Sequence, residues 1–129
     1  MVIAGVSDLM MASKIRSAAA ASRVAVTFAG DAAGLLNAAR NGAPRLVLLD
    51  LDDRRLNAVE VLSAIRSDQA LASLRVLGFV SHVRADLIAA ARQAGIDEVL
   101  ARSAFVARLP ELLADPGPTA GPAAGDETA

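Results

Sequence analysis

The sequence predicts an α/β fold, a doubly wound parallel sheet of the (βα)5 type, and three observations predict it. Arg45-Leu46-Val47-Leu48-Leu49-Asp50 sets four large aliphatic residues in a row and stops at a carboxylate. A half-exposed strand would alternate in polarity; an unbroken apolar run this short is a strand covered on both faces, as in the middle of a parallel sheet. Short runs of this kind then alternate along the chain with segments of helical spacing, which calls for right-handed βαβ crossovers and helices on both faces. The third observation is composition. The 129 residues are 54% hydrophobic, only 2% aromatic and contain no cysteine. A single domain of this length buries roughly two-thirds of its unfolded surface, so Leu, Val, Ile and Ala suffice for a core without disulfide or metal.

In chain order, Met1 to Val6 reads as the first strand. Ser7 and Asp8 break it, and either could cap a helix over Leu9 to Ala21. Arg23 to Phe28 is rich in β-branched residues and reads as the second strand. Asp31 is an N-cap for a helix through Arg40, which Gly42 and Pro44 end. The organising strand closes at Asp50, and a polar loop follows, Asp52-Asp53-Arg54-Arg55, with the look of a solvated charge run. Asn57 with Glu60 three residues on forms a capping-box pattern, opening a helix striped by Val59, Leu62, Ala64 and Ile65. Leu74 to Val80 is the fourth strand, and Ser81, His82 and Val83 make a loop. Arg84 to Ala94 is an Ala-rich helix ending at Gly95, and Glu98 to Ala101 is the fifth strand. Ser103 caps a last helix with the stripe Phe105, Leu109, Leu112 and Leu113. Pro110 inside it removes a hydrogen bond, at about 3 kcal/mol, so this helix is expected to kink or to restart there. From Asp115 to Ala129 the chain is Pro, Gly, Ala, Thr and acid, too poor in apolar residues to repay its ordering entropy. The expected division is a domain over 1–114 and a disordered tail over 115–129.

For five strands in this length the flavodoxin-like order 2-1-3-4-5 is expected. The carboxyl ends of strands one, three, four and five then share one edge, where open α/β sheets place their chemistry. That edge collects Ser7 and Asp8, Asp50, Ser81 with His82, and Arg102 with Ser103. A net charge of −1 provides no footprint for nucleic acid or an anionic membrane. No basic start with a long apolar stretch marks a signal peptide, and no apolar run approaches the roughly 20 residues of a membrane span. A cytoplasmic domain is expected.

At this point the chain resembles a family, the receiver domains of bacterial two-component response regulators. Pro44-Arg45-Leu46-Val47-Leu48-Leu49-Asp50 is similar to the strand that ends at their phosphorylated aspartate. Val59 to Arg66 is similar to the next helix. Val76 to Ser81 is similar to strand four, whose last residue is Thr or Ser. Ala94 to Phe105 is similar to the stretch that carries their Lys-Pro-Phe region. The resemblance covers about residues 1–113 and implies phosphoryl transfer to Asp50, with Ser81 as the hydroxyl that holds a phosphoryl oxygen. In such chemistry positioning and charge neutralisation dominate. The resemblance implies a Mg²⁺ held by further acids, plus a lysine. Without a cation, each unit charge pair at ~5 Å and an effective dielectric of ~20 costs about 3 kcal/mol.

The sequence departs from that pattern in ways that bear on the chemistry. Arg102 stands at the lysine position, and a planar guanidinium is no substitute for a compact ammonium at a tight site. Arg102 could also pair with Asp50 and lock the site. The acidic pair after strand one becomes Val6-Ser7 or Ser7-Asp8, leaving Asp8, Asp50 and Asp52 as the residues for a cation. Asp8 is equally an N-cap. The Pro-Gly of the following loop is replaced by Arg54-Arg55, and the output-face aromatic of strand five by Val99.

The function expected is therefore a stand-alone receiver-like signalling domain, not an enzyme, with its acceptor present and its Mg²⁺ site degraded, acting through protein contact. A conventionally phosphorylated single-domain regulator is the alternative. Its partners would be a sensor histidine kinase or another signalling protein, through the face of Val99, Phe105 and Leu109, which could equally support a homodimer. A hydrolase using Ser81 and His82 competes weakly, since adjacent loop residues point apart, Asp50 would have to orient His82 and no Gly-x-Ser-x-Gly elbow is present. Nor does Gly5-Val6-Ser7-Asp8 carry a nucleotide or flavin fingerprint.

Overall fold

The computed structural model describes residues 1–82 and 84–114. Val83 and the segment 115–129, read from sequence as loop and tail, lie outside the described residues. The elements run β1 (Val2–Gly5), α1 (Leu9–Ser22), β2 (Val26–Ala29), α2 (Ala32–Gly42), β3 (Leu46–Asp50), α3 (Ala58–Ser67), β4 (Arg75–Val80), α4 (Ala85–Gln93), β5 (Glu98–Ala101) and α5 (Arg102–Ala114). All pairings are parallel and the strand order is β2-β1-β3-β4-β5, as the alternation of segments predicts. Every residue of β1 and β3 is buried, which is why their sequences do not alternate.

The sheet separates two cores. On one face α1 and α5 cover Val2, Ala4, Leu46, Leu48, Leu77 and Phe79 with Met11, Ile15, Phe105, Leu109, Leu112 and Leu113. Phe79 and Phe105 stack there with ring centres 4.2 Å apart. On the other face α2, α3 and α4 bury Leu35, Leu62, Ile65 and Ala91 against Ile3, Val47, Leu49 and Val76. Gly78 in β4 lets this packing close, because a Cβ there would come within 2.7 Å of Ile96 and 2.9 Å of Leu51.

Several expectations need correction. Phe105 and Leu109 are 0% and 2% exposed. They belong to the core and offer nothing to a partner; Val99, half-buried, is the member of that face with exposed surface. The second strand begins at Val26, because Arg23 ends α1 in the left-handed conformation, φ 56°, with its N–H on the Ala19 and Ala20 carbonyls. Asn57 precedes α3 but is itself left-handed, φ 44°, and makes no cap bond to the helix; its side-chain amide donates to Glu60 instead. The buried stripe of α3 is Ala58, Val61, Leu62 and Ile65; Leu62 and Ile65 are as read off the sequence, while Val59 and Ala64 are only half-buried and Ala58 and Val61 take their place. Asp31 does cap α2, accepting from the Gly34 N–H at 2.7 Å. Helix α5 neither stops nor restarts at Pro110, which lies within a single element.

Candidate functional site

Asp50 ends β3, paired with Phe79 of β4, and is the buried charged residue of the described core at 7% exposure. Its Oδ1 accepts the Asp52 N–H at 3.0 Å, while the Asp50 carbonyl accepts the Asp53 N–H at 3.3 Å. This folds the loop back so that three carboxylates lie within a few residues of one another. Burial pushes the Asp50 carboxyl up to about 6, and the charges of Asp52 and Asp53 add to that rise. The Asp52 amide and the more distant Arg102 guanidinium pull the other way. The second carboxylate oxygen of Asp50 accepts no hydrogen bond among the described residues.

Asp8 follows β1 and caps α1. Its Oδ1 accepts the Met10 N–H at 2.9 Å, and its Oδ2 accepts from Arg102 Nη2 at 2.7 Å. The guanidinium holds the Asp8 carboxyl below the usual carboxylate range, and the helix-start amide N–H adds to the effect. The other arm of Arg102 donates to the Ser81 hydroxyl at 3.4 Å. Arg102 thus bridges the ends of β1 and β4 from the start of α5. The sequence expectation that Arg102 locks Asp50 is corrected: its ion-pair partner is Asp8.

The polar loop after β3 is not simply solvated. Asp52 accepts the Ser81 N–H at 2.6 Å. Asp53 accepts the Arg55 N–H at 3.0 Å and a short bond from the Ser7 hydroxyl. Only the Arg54-Arg55 half of the run is exposed. Asp53 is the site residue that sequence reasoning missed, and with it the bond from Ser7, a residue already placed on this edge. Ser7 reads as the loss of an acid, yet its hydroxyl is what ties the β1 edge to the β3 loop. An Asp two residues before a turn amide is an Asx-turn signal that would have lifted Asp53 out of the charge run.

These partners bear on whether a cation fits. Among the described residues no three Asp, Glu or His side chains form a ligand group. Both oxygens of Asp8 are taken, one of them by a guanidinium that would repel a dication. Asp8, Asp50 and Asp52 stand on the same edge, but they do not make up such a group among the described residues. Ser81 and His82 make no hydrogen bond to each other, both side chains are exposed, and Asp50 does not orient His82. No helix among the described residues is long and apolar enough to cross a membrane.

No protein-family model matches the sequence, and no curated protein matches it. Solved structures do. A response regulator from Hahella chejuensis is 20% identical, with 87% of this chain and 90% of that chain covered and a TM-score of 0.78. The phosphorylated cyanobacterial phytochrome response regulator RcpA is 22% identical over 88% of this chain and 87% of that one, at 0.75. The Mn²⁺-bound response regulator Rcp1 is 16% identical over 88% of each, at 0.69. Five parallel strands in the order 2-1-3-4-5, flanked by five helices, are common ground between this chain and those proteins. The chain has the fold of a response-regulator receiver domain.

Proposed function

We propose that this is a receiver-type signalling domain whose phosphoacceptor edge is neutralised from within, so that it acts through protein contact in the absence of phosphate. One observation carries the reading. Arg102, at the position where the resemblance puts a catalytic lysine, spans Asp8 and Ser81. The residue types that would hold a cation and a phosphoryl oxygen are occupied by one another. The site is assembled as a ring of hydrogen bonds, Ser7 to Asp53, Asp52 to Ser81, Ser81 to Arg102 and Arg102 to Asp8. In this reading Asp50 marks the ancestral acceptor, Ser81 its hydroxyl and Arg102 its cation, and residues 1–114 form the working domain. Its partner is another signalling protein, with Val99 at the edge of the contact surface.

A second reading, an acceptor that still takes a phosphoryl group, is favoured by the unengaged oxygen of Asp50. A carboxyl near 6 is mostly ionised at neutral pH, the charge state a nucleophile needs. The experiment that separates the two is a titration with Mg²⁺ and beryllofluoride, followed by amide chemical shifts. Weak or absent binding is expected. Tight, Mg²⁺-dependent binding that vanishes in Asp50→Asn would establish the second reading in place of the first.

A further inference from the structure

Beside Arg102 a cavity of about 500 Å³ opens between α1 and α5. It is lined by Lys14, Ser81, Ala101, Arg102, Ser103 and Val106. Its polar lining is entirely cationic or hydroxylic, with no carboxylate. Lys14 is the only lysine in the chain. Its ammonium has no ion pair or hydrogen bond among the described residues. The other cations around the site are Arg54, Arg55 and Arg84, on the loop after β3 and ahead of α4, and they do not line this cavity.

An ammonium, a guanidinium and two hydroxyls form the donor set that suits a tetrahedral oxyanion. Arg provides a planar fork and Lys a point charge, and each hydroxyl can donate once. The volume falls in the range of small-molecule pockets and exceeds what a bare phosphate fills. Ala101 and Val106 provide an apolar wall for the remainder. We infer that the cavity between α1 and α5 binds, reversibly, a phosphate monoester of a small molecule with an apolar or planar body. Lys14 and Arg102 meet the phosphate, and Ser81 and Ser103 complete its shell. The anion competes with Asp8 for Arg102, so occupancy loosens the bridge between β1 and α5. This inference rests on the reading of Arg102 as a resident cation. The two fail separately: the neutralised-edge reading falls to Mg²⁺-dependent beryllofluoride binding at Asp50, whereas this inference falls to the titration below, which is run without Mg²⁺.

The test is a calorimetric titration of the full chain with inorganic phosphate and with adenosine monophosphate, each without Mg²⁺. Saturable binding of both is expected, tighter for the nucleotide. Lys14 is exposed on α1, so Lys14→Gln keeps the fold. It should weaken both ligands about ten- to a hundredfold, the worth of one charge-assisted hydrogen bond. Arg92→Gln removes the same charge from an exposed position on α4 and should leave both affinities unchanged. Binding that Lys14→Gln and Arg92→Gln reduce equally would be a net-charge effect and would overturn the proposal. So would the absence of saturation by either ligand.

Discussion

Asp50 is held between two demands. A nucleophilic carboxylate must be charged, while its burial favours the neutral form. The folded-state value of about 6 lies above the ordinary 3.8. The fold thus binds the proton more tightly than the unfolded chain does. The corresponding stability is fully present below about pH 4 and is lost as the pH rises through about 6. A shift of about two units is worth about 2–3 kcal/mol. Asp50→Asn keeps a carbonyl oxygen for the Asp52 N–H and removes the charge. Urea denaturation should find it more stable than the parent by about 2 kcal/mol near pH 7.5 and indistinguishable from it near pH 4. A difference that does not change with pH would contradict the burial argument. At this scale the positions of Asp50, Ser81 and Arg102 were legible, because each falls where a strand ends. Their partners were not. Arg102 had Asp8, Asp50 and Ser81 within reach of a long side chain, and packing chose among them. The bond from Ser7 to Asp53 joins residues 46 apart, a distance over which no local pattern speaks.

At the scale of elements, the caps show what local sequence can and cannot determine. Asp8 and Asp31 sit in extended backbone and cap as their residue type predicts. Asn57 follows a tight loop in which its own N–H bonds to the Arg54 carbonyl at 3.2 Å, and the resulting left-handed backbone turns its side chain away from the helix amides. Helix α5 shows the converse. Proline is expected to break it, yet the stripe of Phe105, Leu109, Leu112 and Leu113 is buried on both sides of Pro110, and that burial outweighs one missing hydrogen bond. Pro110 itself is exposed, so Pro110→Ala restores an N–H to the Val106 carbonyl without disturbing the core. It should raise the urea midpoint by the equivalent of about 1–3 kcal/mol. An unchanged midpoint would mean that the helix has already relaxed around the proline.

Over the whole molecule, the strand order was legible because it follows from alternation and handedness, which need only the count and type of segments. The outer boundaries of the helices were less so, since chain ends of helices depend on single backbone conformations such as that of Arg23. The assignment of Phe105 and Leu109 to a contact surface failed for a reason of scale: an apolar stripe states that a helix has a buried side but not what buries it. Here it is the sheet together with α1. Arg66 ties the opposite layer, donating to the Gly95, Ala72 and Leu74 carbonyls and pairing with Asp97 at 2.9 Å. One residue thus fixes α3, the start of β4 and the turn before β5.

The pairing of α1 with α5 has a consequence for the order in which the protein is made. Met11 and Ile15 are made early, and the side chains that cover them, Phe105 to Leu113, follow roughly 90 residues later. At roughly 5 to 20 residues per second, the growing chain spends several seconds with one face of its sheet uncovered. In that interval Leu46, Leu48, Leu77 and Phe79 are already made but lack the helix that shields them. A chain ending at Ala101 freezes this intermediate. It should retain far-ultraviolet helix and strand signal, bind a hydrophobic dye and aggregate, where the chain through Ala114 does neither. A well-folded, dye-silent truncation would show that the first four crossovers close a core by themselves, leaving α5 as a late addition and not the lid that translation waits for.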